Sequence, residues 1–254
     1  MKLLISPAKK MRAEDFLPPR TQPPLLEKSA QLLNYVRGLS LPQLKRLLAC
    51  NESLAQEAFE NFRAMELGRG TTPALLAYDG IQYKYMAPGV FTQAQLEYVG
   101  EHLRILSGFY GVLRPFDGVS PYRLEMQAKV KAPFCKNLYD FWGDSLGEFL
   151  LQEDSVLVNL ASEEYAKAVR PAVAGKGRFV TCVFAEEPEQ GRLVEKGVYV
   201  KMARGEMVRF AAEHNVQSPE GLQGFSRLGY AFDPQRSTGD TYLFCRSAPP
   251  KRLK

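Results

Sequence analysis

The distribution of short apolar runs limits the folds open to this chain more than any other feature. Residues 2–6 contain the run Leu-Leu-Ile and are followed by Pro7, which is typical of a buried strand that enters a loop. Further runs of strand length lie in the C-terminal half, at residues 156–160, 179–184, 198–200 and 242–245. Strands from both ends, with no break in composition between them, predict one mixed α/β (α+β) domain over residues 1–254. Its mixed sheet is expected to be flanked by helices.

The segments between these runs carry apolar residues at helical spacing or helix-start signals. A capping box of Thr92 and Gln95 marks one start. Helices are predicted at residues 25–38, from Ser40, at about 51–65, from Thr92 to residues 107–108, and at 163–169, 203–214 and 218–222.

The composition excludes several classes of protein. With 45% hydrophobic and 24% charged residues, the chain has an ordinary globular composition. No window approaches the roughly 20 apolar residues of a membrane helix, so neither a membrane span nor a membrane partner is predicted. Two distant histidines, His102 and His214, cannot form a zinc-hydrolase pattern, and no metal or cofactor is predicted, although a carboxylate-only metal site stays open.

The cysteines predict a cellular compartment. They are dispersed, without a CxxC pair, and no apolar stretch of signal length opens the chain. Reduced thiols and a cytoplasmic location are therefore expected, and no protein partner can be inferred. The cysteines are Cys50, Cys135, Cys182 and Cys245.

The net charge of +5 permits an anionic partner, and the loop after the first strand is the first candidate site. Ser6, Lys9 and Lys10 offer a hydroxyl and two ammonium groups that suit a phosphate. The glycines of a phosphate-binding loop are absent, and a solvated basic turn is the alternative.

A Gly-x-x-Gly element at Gly108 and Gly111 is the second candidate. A helix that closes on this pattern resembles the helix-hairpin-helix of sequence-independent DNA binding, in which glycines let backbone N–H groups reach a phosphate. The match is partial, because Ser107 stands where proline is usual and Pro115 cuts a second helix short. The alternative is a helix C-cap at Gly108 followed by a turn.

Arginines and aromatic residues alternate over residues 114–126. Arg114 and Arg123 would contact phosphates while the rings stack on unpaired bases, although a salt-bridged loop against the core has the same composition. Further along, Lys201 and Arg204 form a candidate phosphate clamp.

Carboxylates supply the remaining candidates. Asp140 and Asp144 would share one face of a helix and could hold Mg²⁺ or divide acid and base roles, whereas a cap is the favoured alternative for Asp140. Polar residues at 159–164 follow another strand, at a position where mixed folds often bind ligands.

Several blocks, in order over nearly the whole chain, are together typical of one known family. They are ISPAKK, LRILSGFYGVLRPFDGVSPYRLEM, LYDFWGD, LVNLASEEY, KMARGEMVRF and GFSRLGYAFD. Through them the chain resembles the YaaA family of bacterial peroxide-stress proteins. The resemblance implies a cytoplasmic protein that limits hydrogen peroxide damage, lowers free intracellular iron and protects DNA. It also implies a mixed α/β fold with a positive cleft and a helix-hairpin-helix element, and binding to double-stranded or irregular DNA.

Carried onto this sequence, the hairpin falls at residues 107–111, and Lys10 stands where the family usually has threonine. The first hypothesis is sequence-independent DNA binding. It assigns DNA contacts to Ser6, Lys9, Lys10, Gly108, Gly111, Arg114, Arg123, Lys201 and Arg204. The charged members of this set would line the positive cleft; they are Lys9, Lys10, Arg114, Arg123, Lys201 and Arg204.

Two alternatives come from different classes. An enzyme acting on nucleic acid or nucleotides, of the repair lyase or hydrolase type, would use Lys9 as a Schiff-base nucleophile and Glu125, Asp140 or Asp144 as acid, base or metal ligand. A non-enzymatic role is favoured over it. Direct iron sequestration is disfavoured, because the histidines and cysteines are dispersed and no ExxH pattern is present.

Overall fold

In the computed structural model, which describes residues 1–14, 17–187 and 193–247, the N-terminal strand lies inside the main sheet. The strands are β1 Lys2–Ile5, β2 Lys10–Met11, β3 Thr72–Pro73, β4 Tyr78–Asp79, β5 Leu103–Ser107, β6 Gly111–Leu113, β7 Gly118–Val119, β8 Val156–Asn159, β9 Arg178–Glu187, β10 Ala231–Phe232 and β11 Thr241–Ser247. The helices are α1 Leu26–Arg37, α2 Leu41–Leu48, α3 Glu52–Ala64, α4 Ala74–Ala77, α5 Ile81–Met86, α6 Gln93–His102, α7 Leu138–Trp142, α8 Ser145–Glu153, α9 Glu163–Ala166, α10 Arg170–Val173 and α11 Gly197–Glu213, with 3-10 turns at Pro88–Val90 and Pro219–Gly224.

Within the described residues the main sheet has seven strands, in the order β10-β11-β9-β8-β1-β5-β6. The strands from β11 to β5 run parallel to their neighbours, and β6 and β10 add antiparallel edges. All four residues of β1 are buried, as expected of a parallel strand covered on both faces. The predicted mixed sheet with strands from both ends of the chain is confirmed.

Parallel pairing sets the location of the functional site. Leu3 of β1 lies opposite Leu103 of β5 and Val158 of β8, so the three strands end at the same edge of the sheet. The loops that follow them therefore leave side by side, at the edge where open α/β sheets bind ligands.

Helices α1, α2 and α3 cover part of the core and were predicted from apolar spacing. Their buried side chains include Leu32, Leu44 and Phe62. The Asn51 side chain accepts a hydrogen bond from the Leu54 N–H at 3.0 Å and begins α3. Within the described ranges, no helix combines the length and the apolar character needed to cross a bilayer.

Two predicted elements are wrong in type. The helix that begins at Thr92 ends at His102, and residues 103–107 form strand β5, buried at every position. A segment buried on all sides has apolar residues at helical and strand spacing alike, so periodicity could not separate the two. Residues 198–200, predicted as a strand, open helix α11 instead, because a run of three β-branched and aromatic residues is too short to outweigh tertiary packing.

The predicted helix-hairpin-helix at residues 107–111 is also wrong. These residues join β5 to β6 as a β-hairpin, with Ser107 paired to Gly111. A Cβ at Gly108 would lie 2.4 Å from the Leu124 carbonyl oxygen, so this glycine permits a close backbone approach. Pairs of helices joined by a short turn lie elsewhere in the chain, for example α1 with α2 and α2 with α3.

Candidate functional site

A cavity of about 510 Å³ opens at the carboxyl edge of the sheet. The loop after β1 forms one wall, and the start of α9, which follows β8, forms another. The remaining walls come from residues 79–83, residues 122–125 and helix α11. The cavity therefore combines segments from the two ends and the middle of the chain.

Many of the side chains predicted to bind DNA line this cavity. Lys9 and Lys10 come from the loop after β1, whereas Lys201 and Arg204 come from α11, almost 200 residues later. The predicted site residues in its wall are Ser6, Lys9, Lys10, Arg123, Glu125, Lys201 and Arg204. Asp79, Glu125 and Glu164 oppose these five cations, which leaves the lining with an excess of positive charge.

Two glycines allow these walls to approach one another. A Cβ at Gly80 would lie 2.8 Å from the Cβ of Ala8, and one at Gly205 would lie 2.1 Å from the carbonyl oxygen of Gln82. The first contact seats the loop after β1 against the start of α5, and the second seats α11 against α5. Larger residues would push the basic side chains of α11 away from the cavity.

The mouth of the cavity carries exposed ammonium groups in weak ion pairs. The Lys9 Nζ lies 2.9 Å from Glu125 Oε2, and the Lys10 Nζ lies 3.2 Å from Asp79 Oδ2. The two lysine side chains are 67% and 77% exposed, so each pair contributes little to stability and can exchange its carboxylate for another anion. The hydrogen bond from Lys10, with the charge of Lys84 3.6 Å away, lowers the pKa of Asp79.

Three residues of the cavity wall carry buried nitrogens that have no hydrogen-bond partner in the described part of the chain. Among the described residues, no acceptor lies within hydrogen-bond distance of Gln82 Nε2, Arg123 Nε or Arg204 Nε. A buried donor without a partner costs about 1–3 kcal/mol. Burial also lowers the pKa of the Arg204 guanidinium, although an arginine stays charged at neutral pH.

Tyrosines give the cavity its aromatic wall. The Tyr122 hydroxyl lies 2.8 Å from the Tyr78 hydroxyl and 2.6 Å from Ser107 Oγ, while the Tyr83 hydroxyl donates to the Ser6 carbonyl at 3.0 Å. Burial raises the pKa of Tyr83 and of Tyr122, so both hydroxyls stay protonated. These hydrogen bonds hold the rings in fixed orientations.

Ser6 has a structural partner within the same wall. Its hydroxyl oxygen accepts a hydrogen bond from the Ser162 N–H at 2.8 Å, which ties the loop after β1 to the start of α9. A second cavity, of about 140 Å³, shares Lys9, Lys10 and Arg123 with the first and reaches the face of α3. The loop after β1 therefore lines both cavities.

Three of the predicted DNA contacts lie elsewhere. Gly108 and Gly111 are buried in the hairpin turn. Arg114 forms an ion pair with Glu153, with 3.2 Å between Nε and Oε1, and its guanidinium lies over the Phe149 ring. The alternative of a salt-bridged loop describes Arg114 better than a place in the cleft.

The predicted pairing of Asp140 with Asp144 on one helical face is wrong. Gly143, with φ +49°, ends α7, and Asp144 is the residue before α8. The Asp140 carboxylate accepts a hydrogen bond from the Lys136 N–H at 2.8 Å, a local role at the start of its helix. Within the described residues, no three His, Cys, Asp or Glu side chains cluster as ligands for a metal ion.

Sequence reasoning missed part of the site. Asp79, Gln82, Tyr83 and Lys84 were not assigned to it, although the aromatic residues around Asp79 and Gly80 are conspicuous in the sequence. Gln82 lies on a short helix without a motif of its own. Only its packing against α11 shows that it lines the cavity.

Comparison with known proteins adds an independent line of evidence. The family model described as peroxide stress protein YaaA matches residues 1–236. A UPF0246 protein of Desulfitobacterium hafniense strain Y51 is 51% identical over 252 residues, covering 99% of this chain and 100% of the relative. UPF0246 proteins of Agathobacter rectalis and Lactiplantibacillus plantarum are 47% and 46% identical, over 97% and 96% of this chain and 99% and 98% of their own lengths. With this coverage and identity, the chain belongs to the family of the peroxide stress protein YaaA.

Proposed function

We propose that this protein binds DNA in the peroxide stress response, through the basic side chains around the mouth of the cavity. The observation that carries the proposal is the convergence of exposed lysines from separate segments. Lys9 and Lys10 follow β1, Lys84 lies on α5 and Lys201 on α11. Family membership supports the stress role, and the charge at the mouth supports an anionic partner.

The ion pairs at the mouth favour exchange with phosphate. Lys9 and Lys10 are held only by exposed contacts to carboxylates, which phosphate oxygens can replace. Each phosphate that a lysine neutralises releases counterions, so affinity for duplex DNA falls with a log–log salt slope of about −0.9 per contact. Binding of this kind contacts the phosphate backbone of the DNA and is independent of the base sequence.

The test is a titration of fluorescent duplex, mismatched and bulged DNA at about 50 and 200 mM salt, the range over which phosphate contacts weaken strongly. We expect Lys9→Ala/Lys10→Ala to weaken binding and to reduce the salt slope by about 2. The control is Lys45→Ala/Lys176→Ala, which removes the same charge from a half-buried and an exposed position outside both cavities. Absence of binding at the lower salt, or equal loss in the control, would contradict the proposal.

The proposal includes a link between DNA binding and lowered free intracellular iron. Cells that carry Lys9→Ala/Lys10→Ala should then lose both effects together, measured as DNA lesions and as chelatable iron after peroxide treatment. If the variant still lowers iron as the wild type does, the two effects are separate.

A second candidate function rests on the ion pair between Lys9 and Glu125, 2.9 Å apart at the cavity mouth. A carboxylate at this distance can accept the proton that the nitrogen loses as it bonds to a carbonyl carbon, and can return it to the departing hydroxyl. On DNA with an abasic site, the amine nitrogen would bond to the aldehyde carbon, and the carbonyl oxygen would leave as water. Borohydride should trap this imine in wild type and in Lys10→Ala but not in Lys9→Ala, and the absence of any adduct would remove this mechanism.

A further inference from the structure

The cavity interior differs from its mouth in how its polar groups are partnered. Gln82 is only 6% exposed and lines the cavity, yet its amide nitrogen has no acceptor among the described residues. The Nε atoms of Arg123 and Arg204 share this condition. Three residues that line one cavity therefore each carry a donor that is unpartnered within the described residues, which points to a ligand rich in acceptor atoms, because buried polar groups in native proteins are otherwise paired.

The charges of the interior match two kinds of ligand group. Arg123 and Arg204, with Lys201 nearer the mouth, favour an anion, and a guanidinium suits phosphate oxygens because it donates from a planar fork. Glu125 and Glu164 also line the cavity, and a carboxylate has more acceptor sites than their present contacts use. A bare inorganic anion would leave these carboxylates opposed to it, whereas a ligand with hydroxyl or N–H groups would satisfy them.

The aromatic wall adds a third requirement. Tyr83, Tyr122 and Tyr165 line the same cavity with the small part of each residue that stays exposed, 4%, 7% and 6%. Because hydrogen bonds to Ser6 and Tyr78 already fix two of the hydroxyls, the rings are preorganised as apolar faces. Faces of this kind stack on nucleobases.

We propose that the cavity binds a single nucleotide, with its phosphate on Arg123 and Arg204, its base against the tyrosines, and the Gln82 amide donating to an acceptor of the base. The volume of about 510 Å³ lies within the usual range of small-ligand sites. The nucleotide is either free or extruded from DNA, and for the second source the inference rests on the proposed function. Extrusion predicts a preference for irregular DNA, because an unpaired nucleotide is the least costly to extrude.

Calorimetric titration tests the inference with defined probes. Deoxynucleoside monophosphates, the deoxynucleosides without phosphate, and inorganic phosphate are titrated into the full chain. We expect the monophosphates to bind about tenfold tighter than either part, because phosphate and base contacts both contribute. Equal affinity for inorganic phosphate would reduce the cavity to a simple anion site and overturn the inference.

Two arginine variants locate the phosphate. Arg204→Gln and Arg123→Gln should each weaken binding of a monophosphate by about tenfold to a hundredfold. Arg209→Gln is the matched control on α11, where Arg209 pairs with Glu213 at 2.8 Å outside the cavity. Unchanged affinity in folded forms of both cavity variants would overturn the assignment.

Gln82→Leu separates ligand binding from a structural role even if an arginine variant does not fold. Replacement of an unpartnered buried donor by an apolar group of similar size should raise the melting temperature of the unliganded protein. The same variant should bind the monophosphate more weakly. A lower melting temperature with unchanged nucleotide affinity would contradict a ligand-directed role for Gln82.

A duplex with 2-aminopurine at a single-nucleotide bulge distinguishes the two sources, since the fluorescence of this base rises when it leaves the stack. Binding of monophosphates without binding of DNA would retain the cavity inference and refute DNA binding. DNA binding with neither a fluorescence rise nor affinity for monophosphates would retain the proposed DNA binding and refute the cavity inference.

Discussion

Two loops leave neighbouring parallel strands at the same edge of the sheet, yet they differ in almost every property. The open loop, residues 6–10 after β1, ends in two exposed lysines at the mouth of the cavity. The covered turn, residues 108–110 after β5, is buried throughout, with Phe109 fully inaccessible. Both were predicted to contact DNA phosphates from their residue types.

The difference lies in what packs over each loop. The backbone of Leu124 lies against Gly108, and the ring of Trp142 lies against Gly111. The Phe109 and Tyr110 N–H groups donate to Ser107 Oγ at 3.2 and 2.8 Å, so backbone donors that a phosphate contact would need are used inside the protein. The same edge of one sheet thus supports a binding loop where it is open and a core turn where it is covered.

The largest expected effect comes from Gly108→Ala in the covered turn. Its Cβ would meet the Leu124 carbonyl oxygen at 2.4 Å, and backbone on both sides prevents relaxation. We expect a loss of about 4 kcal/mol in the free energy of unfolding, measured by urea denaturation. Gly89→Ala, with no heavy atom within 4 Å of its Cβ, is the control. Weaker DNA binding at unchanged stability would restore a direct role for the turn.

Glu153→Gln should have the next largest effect, because Glu153 pairs with Arg104 of β5 and with Arg114, the residue that follows β6. Its carboxylate pairs with Arg104 Nε at 2.5 Å, and Arg104 is only 4% exposed. Loss of the charge leaves a buried guanidinium without its counter-ion, for which we expect about 3 kcal/mol of destabilisation.

The same pair predicts a pH dependence. Burial acts to raise the pKa of Glu153, but the hydrogen bonds and charges of Arg104 and Arg114 outweigh it, and the pKa lies below its ordinary value of 4.5. The stabilisation is therefore complete above pH 4.5 and is lost as the pH falls through the lowered folded pKa. Urea midpoints measured against pH should show this acid loss in wild type but less of it in Glu153→Gln.

Arg114→Ala should have a smaller effect and sharpens the contrast between the loops. Its ion pair with Glu153 is 37% exposed on the arginine side, so about 1 kcal/mol of stability should be lost. DNA affinity should not change, because Arg114 does not line the cavity. A reduced salt slope for this variant would instead extend the binding surface past the covered turn.

The smallest effect is expected at the open loop. Lys10→Ala removes the hydrogen bond that chiefly lowers the pKa of Asp79, so this pKa should rise toward its ordinary value of 3.8. Titration of the carboxyl carbon by NMR measures the rise, and urea denaturation should show almost unchanged stability because the pair is exposed. An unchanged pKa would mean that the charges of Lys84 and Arg12 are enough to keep the pKa of Asp79 low.

The residues of the open loop are enough to predict an exposed basic segment, whereas those of the covered turn are not enough to predict a buried turn. A strand that ends in a polar, lysine-bearing segment is exposed wherever the sheet edge is open, and Lys9 and Lys10 were identified on that basis. The glycines at 108 and 111 fit a DNA-binding hairpin and a tight β-turn equally well. Their surroundings come from residues 124 and 142, which no local pattern connects to them.

Local sequence determined the elements whose energetics are local. Capping by Ser40 and Asn51, helical apolar spacing in α1 to α3 and the apolar run of β1 all depend on residues within a few positions of one another. Tertiary structure alone decided that residues 103–107 are a strand, that Gln82 and Arg204 line the same cavity, and that Gly108 is covered. The physical reason is that burial and partner choice depend on which distant segments pack together, and this chain closes its cavity with residues from both ends.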